Sequence, residues 1–439
     1  MIYILLFVLA FVFYIKGRKG EVLFFLIAIL SNCFGFVDPA NSPIKPTDLL
    51  LSFSIGISIW GFYKNPNYFQ IRKDTFGKLI LLIFFYLLFN FIFTIALHIE
   101  SFSYALKVAR FCFVFPLYFY FRTITQREIK RVIRLTLIAC TIQGIFYYLQ
   151  LVGINVLSGR VDEAEDVGEI TRYANYPVFT GFFLLYYIVN DKVSLFTKLF
   201  YIPFFGFMLI LGQMRGALLA FAFAVCVFFI LQHRTKYILY IICGIVVYQV
   251  VINPMFEYRT RNLERNTLEE VKMVISDPTS IYESYTENGE KGNFLFRIAM
   301  LSERIIYMKD NPQFLPFGIG CIHEESPNNT FIFKLGTNNE RYQYGIGMLS
   351  SADIAWVGIL LRFGLVGIIL FLLLLISWQK TGFSIIKECQ YAPYITAALL
   401  SITYLIGSFV GDNLGRIPSI TYMLFYLSVC HSYSKRSIP

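Results

Sequence analysis

Ser350-Ser351-Ala352-Asp353-Ile354-Ala355-Trp356 marks the place where a polar stretch stops and an apolar one begins. Behind it, from about Asn253 to Ser351, lie roughly a hundred residues rich in Tyr, Asn and Glu. On either side of that insertion the chain reads as one apolar run after another. A long polar segment between such runs is where water can reach side chains, and so where chemistry is expected to sit.

The surrounding composition fixes the class. Hydrophobic residues make up 57% of the chain and charged residues 15%, with a mean hydropathy of +0.61, far from the balance of a soluble domain. Apolar runs fall at about 1–15, 21–36, 48–63, 78–97, 104–121, 132–153, 176–189, 197–213, 215–231, 237–253, 353–377, 393–409 and 417–431. Most approach the ~20 residues that carry a helix across a bilayer core, and no ten-residue alternation suggests a barrel. The expectation is an all-α polytopic membrane protein with about 13 transmembrane helices and one large periplasmic insertion containing helices. Its parts are 1–253 (helices 1–10), 254–352 (the insertion) and 353–439 (helices 11–13). The first run has no basic residues before it and no small-residue cleavage pattern after it, so it reads as a retained helix.

Charge gives an orientation. Counted over the short loops alone, twenty Lys and Arg fall on one side of these spans and five on the other. Basic residues collect in short cytoplasmic loops, which puts the N-terminus and the insertion outside and the C-terminus in the cytoplasm. The net charge of +10 largely expresses this asymmetry and gives no argument for nucleic acid.

Other residue types narrow the chemistry by exclusion. Of the eight cysteines only Cys321 falls in the insertion, so no outer disulfide framework is expected. The four histidines are scattered and make no HxxH pair, which argues against zinc. The chain has no Walker loop, no GxSxG, no DxD-type metal motif in the insertion and no visible repeat of helical halves. No cofactor is expected.

What remains is a set of cations and one carboxylate on the outer side. Arg215, in Leu211-Gly212-Gln213-Met214-Arg215-Gly216, stands where one span ends and the next begins. It reads either as an interfacial snorkelling arginine or as a guanidinium facing a ligand, with Gly216 permitting close approach. Arg297 and Arg304 are two turns apart on the amphipathic segment Asn293 to Met308, so they share a stripe. That segment either rests on anionic headgroups or helps form a site. It stops at Asn311-Pro312, and Pro316-Phe317-Gly318-Ile319-Gly320 redirects the chain. Arg172 follows an acidic outer loop and adjoins a span. Lys107 and Arg110, near the outer end of their span, either line a polar cavity or snorkel, and Arg362, about nine residues into its span, should face protein or water. His323 is the imidazole of the insertion. Asp353 opens a span, where a carboxylate either caps free N–H groups or accepts a proton from a hydroxyl.

In order and spacing, three of these features resemble the O-antigen polymerase and O-antigen ligase superfamily. They are Met214-Arg215-Gly216-Ala217-Leu218-Leu219, the arginine-bearing helix leading to Asn311-Pro312 and Gly318-Ile319-Gly320, and the span opening that runs to Phe363-Gly364-Leu365-Val366-Gly367. The resemblance covers about Arg172 to Gly367. It implies a membrane glycosyltransferase of the C class that takes a glycan from undecaprenyl diphosphate outside the bacterial inner membrane. Ligases of this type carry His-Asn eleven residues before the first glycine of the GxxG, where this chain has Asp353-Ile354. The departure favours a polymerase that joins lipid-linked repeats into O-antigen, capsule or exopolysaccharide. In that reading Asp353 is catalytic and Arg215, Arg297, Arg304 and Arg172 bind the diphosphate, with Lys107, Arg110, Arg362 and His323 as further cavity candidates.

The implied partners are the lipid-linked donor and acceptor glycans and the bilayer, with a chain-length regulator as a further candidate. The alternatives are a ligase acting on a lipid A core and, in a different class, a lipid-linked glycan flippase.

Overall fold

The computed structural model describes residues 2–39, 42, 44–72, 74–157, 166–167, 170–171, 175–212, 215–233, 294–329, 333, 349 and 354–434. Among these the chain is helical, apart from a two-residue antiparallel pairing of Asp166–Val167 with Ile170–Thr171 in the acidic loop. The helices are α1 (Ile2–Ile15), α2 (Lys19–Leu30), α3 (Pro46–Lys64), α4 (Thr75–Ala96), α5 (Phe102–Ala109), α6 (Leu117–Phe121) and α7 (Gln126–Leu149). They continue as α8 (Thr180–Val189), α9 (Leu195–Leu211), α10 (Arg215–Leu231), α11 (Phe294–Asp310), α12 (Ala355–Glu388), α13 (Ala392–Gly407) and α14 (Ile417–Ser434).

By length and hydropathy, Thr75–Ala96, Phe102–Phe121, Gln126–Val152 and Ala355–Glu388 are sufficient to cross a membrane. Shorter apolar helices accompany them, among them α1, α8, α9 and α13. A described helix overlaps each expected span except 237–253, which lies outside the described residues.

Local chemistry accounts for the interruptions. Phe102–Phe121 passes through a 3-10 turn at Arg110–Val114 because Pro116 brings no N–H to the Cys112 carbonyl, which accepts from Phe115 instead. Ser54 of α3 donates to the Phe113 carbonyl in the same stretch at 2.6 Å. At the opposite end of the bundle Asp74 caps α4, accepting from Gly77 N–H, from the Tyr118 hydroxyl and from Arg122 at 2.8 Å. Thr125 and Glu128 form a capping box at the start of α7.

The deepest irregularity is in α12. Gly364 takes φ +60° and ψ −162°, splitting the helix ten residues in. Buried backbone groups freed by such a break must find protein partners. Here the loop after α11 provides them: Ile319 N–H donates to Leu361 O at 2.8 Å and Gly320 N–H to Arg362 O at 3.2 Å. In return Leu365 N–H donates to Leu315 O at 2.9 Å and Val366 N–H to Pro316 O at 3.1 Å. The segment Pro312 to Gly320 therefore packs into the break of α12, and the ring of Phe317 lies 6.4 Å from that of Phe89, which faces outward from α4.

Three residues of α4 at successive four-residue steps complete the joint. Tyr86 donates to Phe363 O, Asn90 to Phe317 O at 2.9 Å, and Thr94 accepts from Cys321 N–H at 3.0 Å. Residues four apart share one helix face, so α4 presents a polar stripe to the break.

Candidate functional site: a cationic cavity at the opening of α12

This joint fixes the walls of a cavity of about 420 Å³. Thr47 at the start of α3, Lys107 and Arg110 of the α5 stretch, His323 and Glu324 of the insertion, Arg362 of α12, and Asp412 and Arg416 of the α13–α14 turn all line it. The turn is bolted to the opening of α12, whose Ala355 N–H approaches both Ser408 O and Gly411 O at 3.2 Å, while Trp356 Nε1 donates to Ser408 Oγ at 2.9 Å. Separate parts of the chain thus converge at one end of the bundle.

The electrostatics are dense. Lys107 pairs with Glu325 at 3.5 Å and lies 4.6 Å over the ring of Tyr104. Arg110 stands 3.8 Å from Asp48, and Arg362 stands 3.6 Å from Glu324. Asp412 accepts from Gly415 N–H at 2.9 Å. Burial pushes its carboxyl up to about 6, against the opposing pull of Arg416, the Gly415 N–H and Arg362. His323 is shifted the other way: burial, with Lys107 and Arg362 nearby, lowers it, although Glu325 and Glu324 oppose the shift. Its imidazole is therefore neutral at pH 7.

The four residues expected as further cavity candidates, Lys107, Arg110, Arg362 and His323, share this cavity. Those expected to bind diphosphate are placed differently. Arg215 begins α10, and its side chain lies outside the described residues, as do Arg172 and Asp353 altogether. Arg297 is partly buried on α11 and is not among the lining residues.

Arg304 departs from the expectation. Its stripe faces into the protein: the guanidinium is 0% exposed, donates to Glu303 at 2.6 Å and to Met300 O, and lies 4.4 Å over the ring of Phe333. Burial lowers it to about 10, Glu303 opposing, so it stays charged and acts as a buried prop rather than a cavity group.

Sequence reading misses Asp412 and Glu324 as site residues and counts Arg416 only as an outer charge. The signal available is Asp412-Asn413-Leu414-Gly415-Arg416, an acid and a base in a short turn between two spans.

A family model described as O-Antigen ligase matches residues 200–372. Over that stretch the chain is similar to the O-antigen ligase family, which supports the O-antigen ligase and polymerase superfamily. The match takes in most of α9, α10, the insertion with its loop after α11, and the broken opening of α12. His323, Glu324 and Arg362 lie within it, whereas Lys107, Arg110, Asp412 and Arg416 are supplied from outside. No curated protein matches the chain. Members of this superfamily are glycosyltransferase-like ligases and polymerases acting in membranes on lipid-linked glycans.

Proposed function

We propose that this chain is a polymerase joining undecaprenyl-diphosphate-linked oligosaccharide repeats outside the inner membrane. The observation that carries the reading is the convergence of Lys107, Arg110, Arg362 and Arg416 on one cavity built around the family-matched opening of α12. Guanidinium forks bind phosphate oxygens bidentately, and preorganised cations stabilise charge that grows on a departing diphosphate. Arg215, Arg297 and Arg172 are proposed to complete the diphosphate site. Arg304 has no place in it because it is fully buried.

Asp353 is proposed to take the proton of the acceptor sugar hydroxyl. The oxygen then attacks the anomeric carbon of the donor, the bond from that carbon to the diphosphate oxygen breaks, and its electron pair leaves with the lipid diphosphate. One displacement inverts the centre. With guanidinium and ammonium groups neutralising the leaving group, the reaction is proposed to need no divalent metal. The insertion is proposed to lie in the periplasm, with the N-terminus on the same side and the C-terminus in the cytoplasm. This follows the distribution of Lys and Arg in the short loops.

One observation favours a second reading, transfer of glycan to a lipid A core: the matching family model is described as a ligase. Asp353-Ile354 in place of His-Asn speaks against it. The discriminating experiment incubates purified protein with a synthetic undecaprenyl diphosphate oligosaccharide in EDTA, with and without lipid A core. A ladder of longer lipid-linked products without core, lost in Asp353→Ala and Arg362→Gln, supports the polymerase. Product on the core alone supports the ligase, and neither product from folded protein with its native repeat sinks both.

A further inference from the structure

We propose that Glu324 and Glu325 are specificity-determining residues that make the cavity select a lipid diphosphate over a lipid monophosphate. This rests on reading the cavity as the diphosphate site. Two consecutive carboxylates of the insertion reach two cations on different helices, Glu324 to Arg362 at 3.6 Å and Glu325 to Lys107 at 3.5 Å. Each occupies a position that a phosphate charge would otherwise take.

The loop that bears them is held by bonds that do not use their carboxylates. Cys321 N–H donates to Thr94 at 3.0 Å, Ser326 N–H to His323 O at 3.1 Å, Asn329 Nδ2 to Glu324 O at 3.2 Å, and Asn328 Nδ2 to Ile99 O at 3.3 Å. Exchange of carboxylate for phosphate therefore needs only rotation of two glutamate side chains. The anchored backbone keeps the displaced carboxylates near the cavity, where they go on repelling a ligand that has not replaced them.

Charge counting then separates the ligands. A phosphate monoester-linked lipid presents few charges at one phosphorus and replaces one carboxylate, so it gains little over the pair already present. A diphosphate presents charge at two phosphorus atoms and can take both cations at once. Specificity built from a repulsive element as well as an attractive one is a difference of affinities of this kind. The two pairs are unequal: the Glu324–Arg362 side chains are 12% and 17% exposed, those of Glu325 and Lys107 53% and 46%. An exposed pair is screened and contributes little, so Glu324 carries most of the discrimination.

The test measures binding of undecaprenyl diphosphate and undecaprenyl monophosphate to the full chain in nanodiscs, for wild type, E324Q, E325Q, E324Q/E325Q and E324D/E325D. Wild type is expected to prefer the diphosphate by about tenfold or more, and the double Gln variant to bind the monophosphate about tenfold tighter, narrowing that preference. E324Q should account for most of the change, and the double Asp variant should behave as wild type. An unchanged preference in the double Gln variant, or diphosphate binding weakened in it, overturns the proposal. E325Q, altered at a half-exposed position, keeps the proposal falsifiable if the other variants fail to fold: any loss of diphosphate affinity in it counts against competition. Failure of the underlying reading looks different, because diphosphate binding would then survive Arg362→Gln unchanged.

Discussion

Gly364 and Pro316 are locked together: a Cβ on Gly364 would lie 2.5 Å from the Pro316 carbonyl oxygen, and Gly364 itself holds φ +60°. Gly318, at φ +78°, meets the same joint from the other side, where a Cβ would overlap the Arg362 carbonyl. Both conformations are strained for any residue with a side chain. Gly364→Ala and Gly318→Ala should each cost about 3 kcal/mol, combining backbone strain with overlap. Thermal unfolding in detergent reads this as a lowered midpoint. A midpoint indistinguishable from wild type for both variants would mean that the two segments do not interlock.

The α4 stripe gives a milder and graded expectation. Tyr86→Phe removes one donor from the Phe363 carbonyl and should cost about 1 kcal/mol. Thr94→Val also leaves the buried Cys321 N–H without this partner, at about 2 kcal/mol, and Asn90→Leu does the same to the partly buried Phe317 carbonyl, at about 1 kcal/mol. Because Asn90 and Thr94 hold one loop, the double variant should cost less than the sum. Strict additivity in the same unfolding assay would show that the stripe does not act as a unit.

Much of this architecture is legible from residues alone, for physical reasons. Spans announce themselves by length and hydropathy, and Pro316 to Gly320 reads as a redirection because proline and two glycines leave little else. Arg362 is visible as a cavity candidate because a charge that far into a span must face protein or water, whereas Lys107 and Arg110, near the outer end of theirs, read equally as snorkelling. A helical period, by contrast, says which residues share a stripe and not which way it points, so Arg304 reads as an outward cation and is in fact buried against Phe333. The Tyr86, Asn90 and Thr94 stripe carries no charge, and its purpose exists only once a partner loop with broken hydrogen bonds is beside it. Asp412 looks like any turn carboxylate until Ala355, far away in the chain, brings the opening of α12 to its turn.

Arg362 is the cavity cation whose chemistry matters most, since it is the least exposed of the ion-paired ones and sits beside the broken helix. Arg362→Gln should lower kcat/KM for polymer formation by about 100-fold, about 3 kcal/mol of transition-state stabilisation. Arg362→Lys keeps the charge but not the planar fork, and should recover only part of that loss, leaving about a tenfold deficit. Equal activity of the Lys variant and wild type would reduce Arg362 to a point charge, and equal activity of the Gln variant would remove it from the reaction.

Asp412 makes a prediction with a definite sign. Its carboxyl is raised in the folded protein to about 6, above the ordinary value of 3.8, with burial the leading cause. Between those two values the folded state binds a proton that the unfolded state releases, so protonation favours folding there. The contribution of Asp412 to stability is therefore greatest below about pH 4, falls as pH rises through about 6, and is flat above it. Asp412→Asn cannot titrate, and it keeps an oxygen able to accept from the Gly415 N–H. Unfolding midpoints of wild type and Asp412→Asn in detergent, taken from about pH 4 to pH 8, should differ most in favour of wild type at the acidic end. The gap should close or reverse by about pH 7, as the wild type must bury a charge that the variant does not carry. A gap that stays constant across the range, or widens toward alkaline pH, would show that Arg416 and Arg362 outweigh burial and hold the carboxylate ionised throughout.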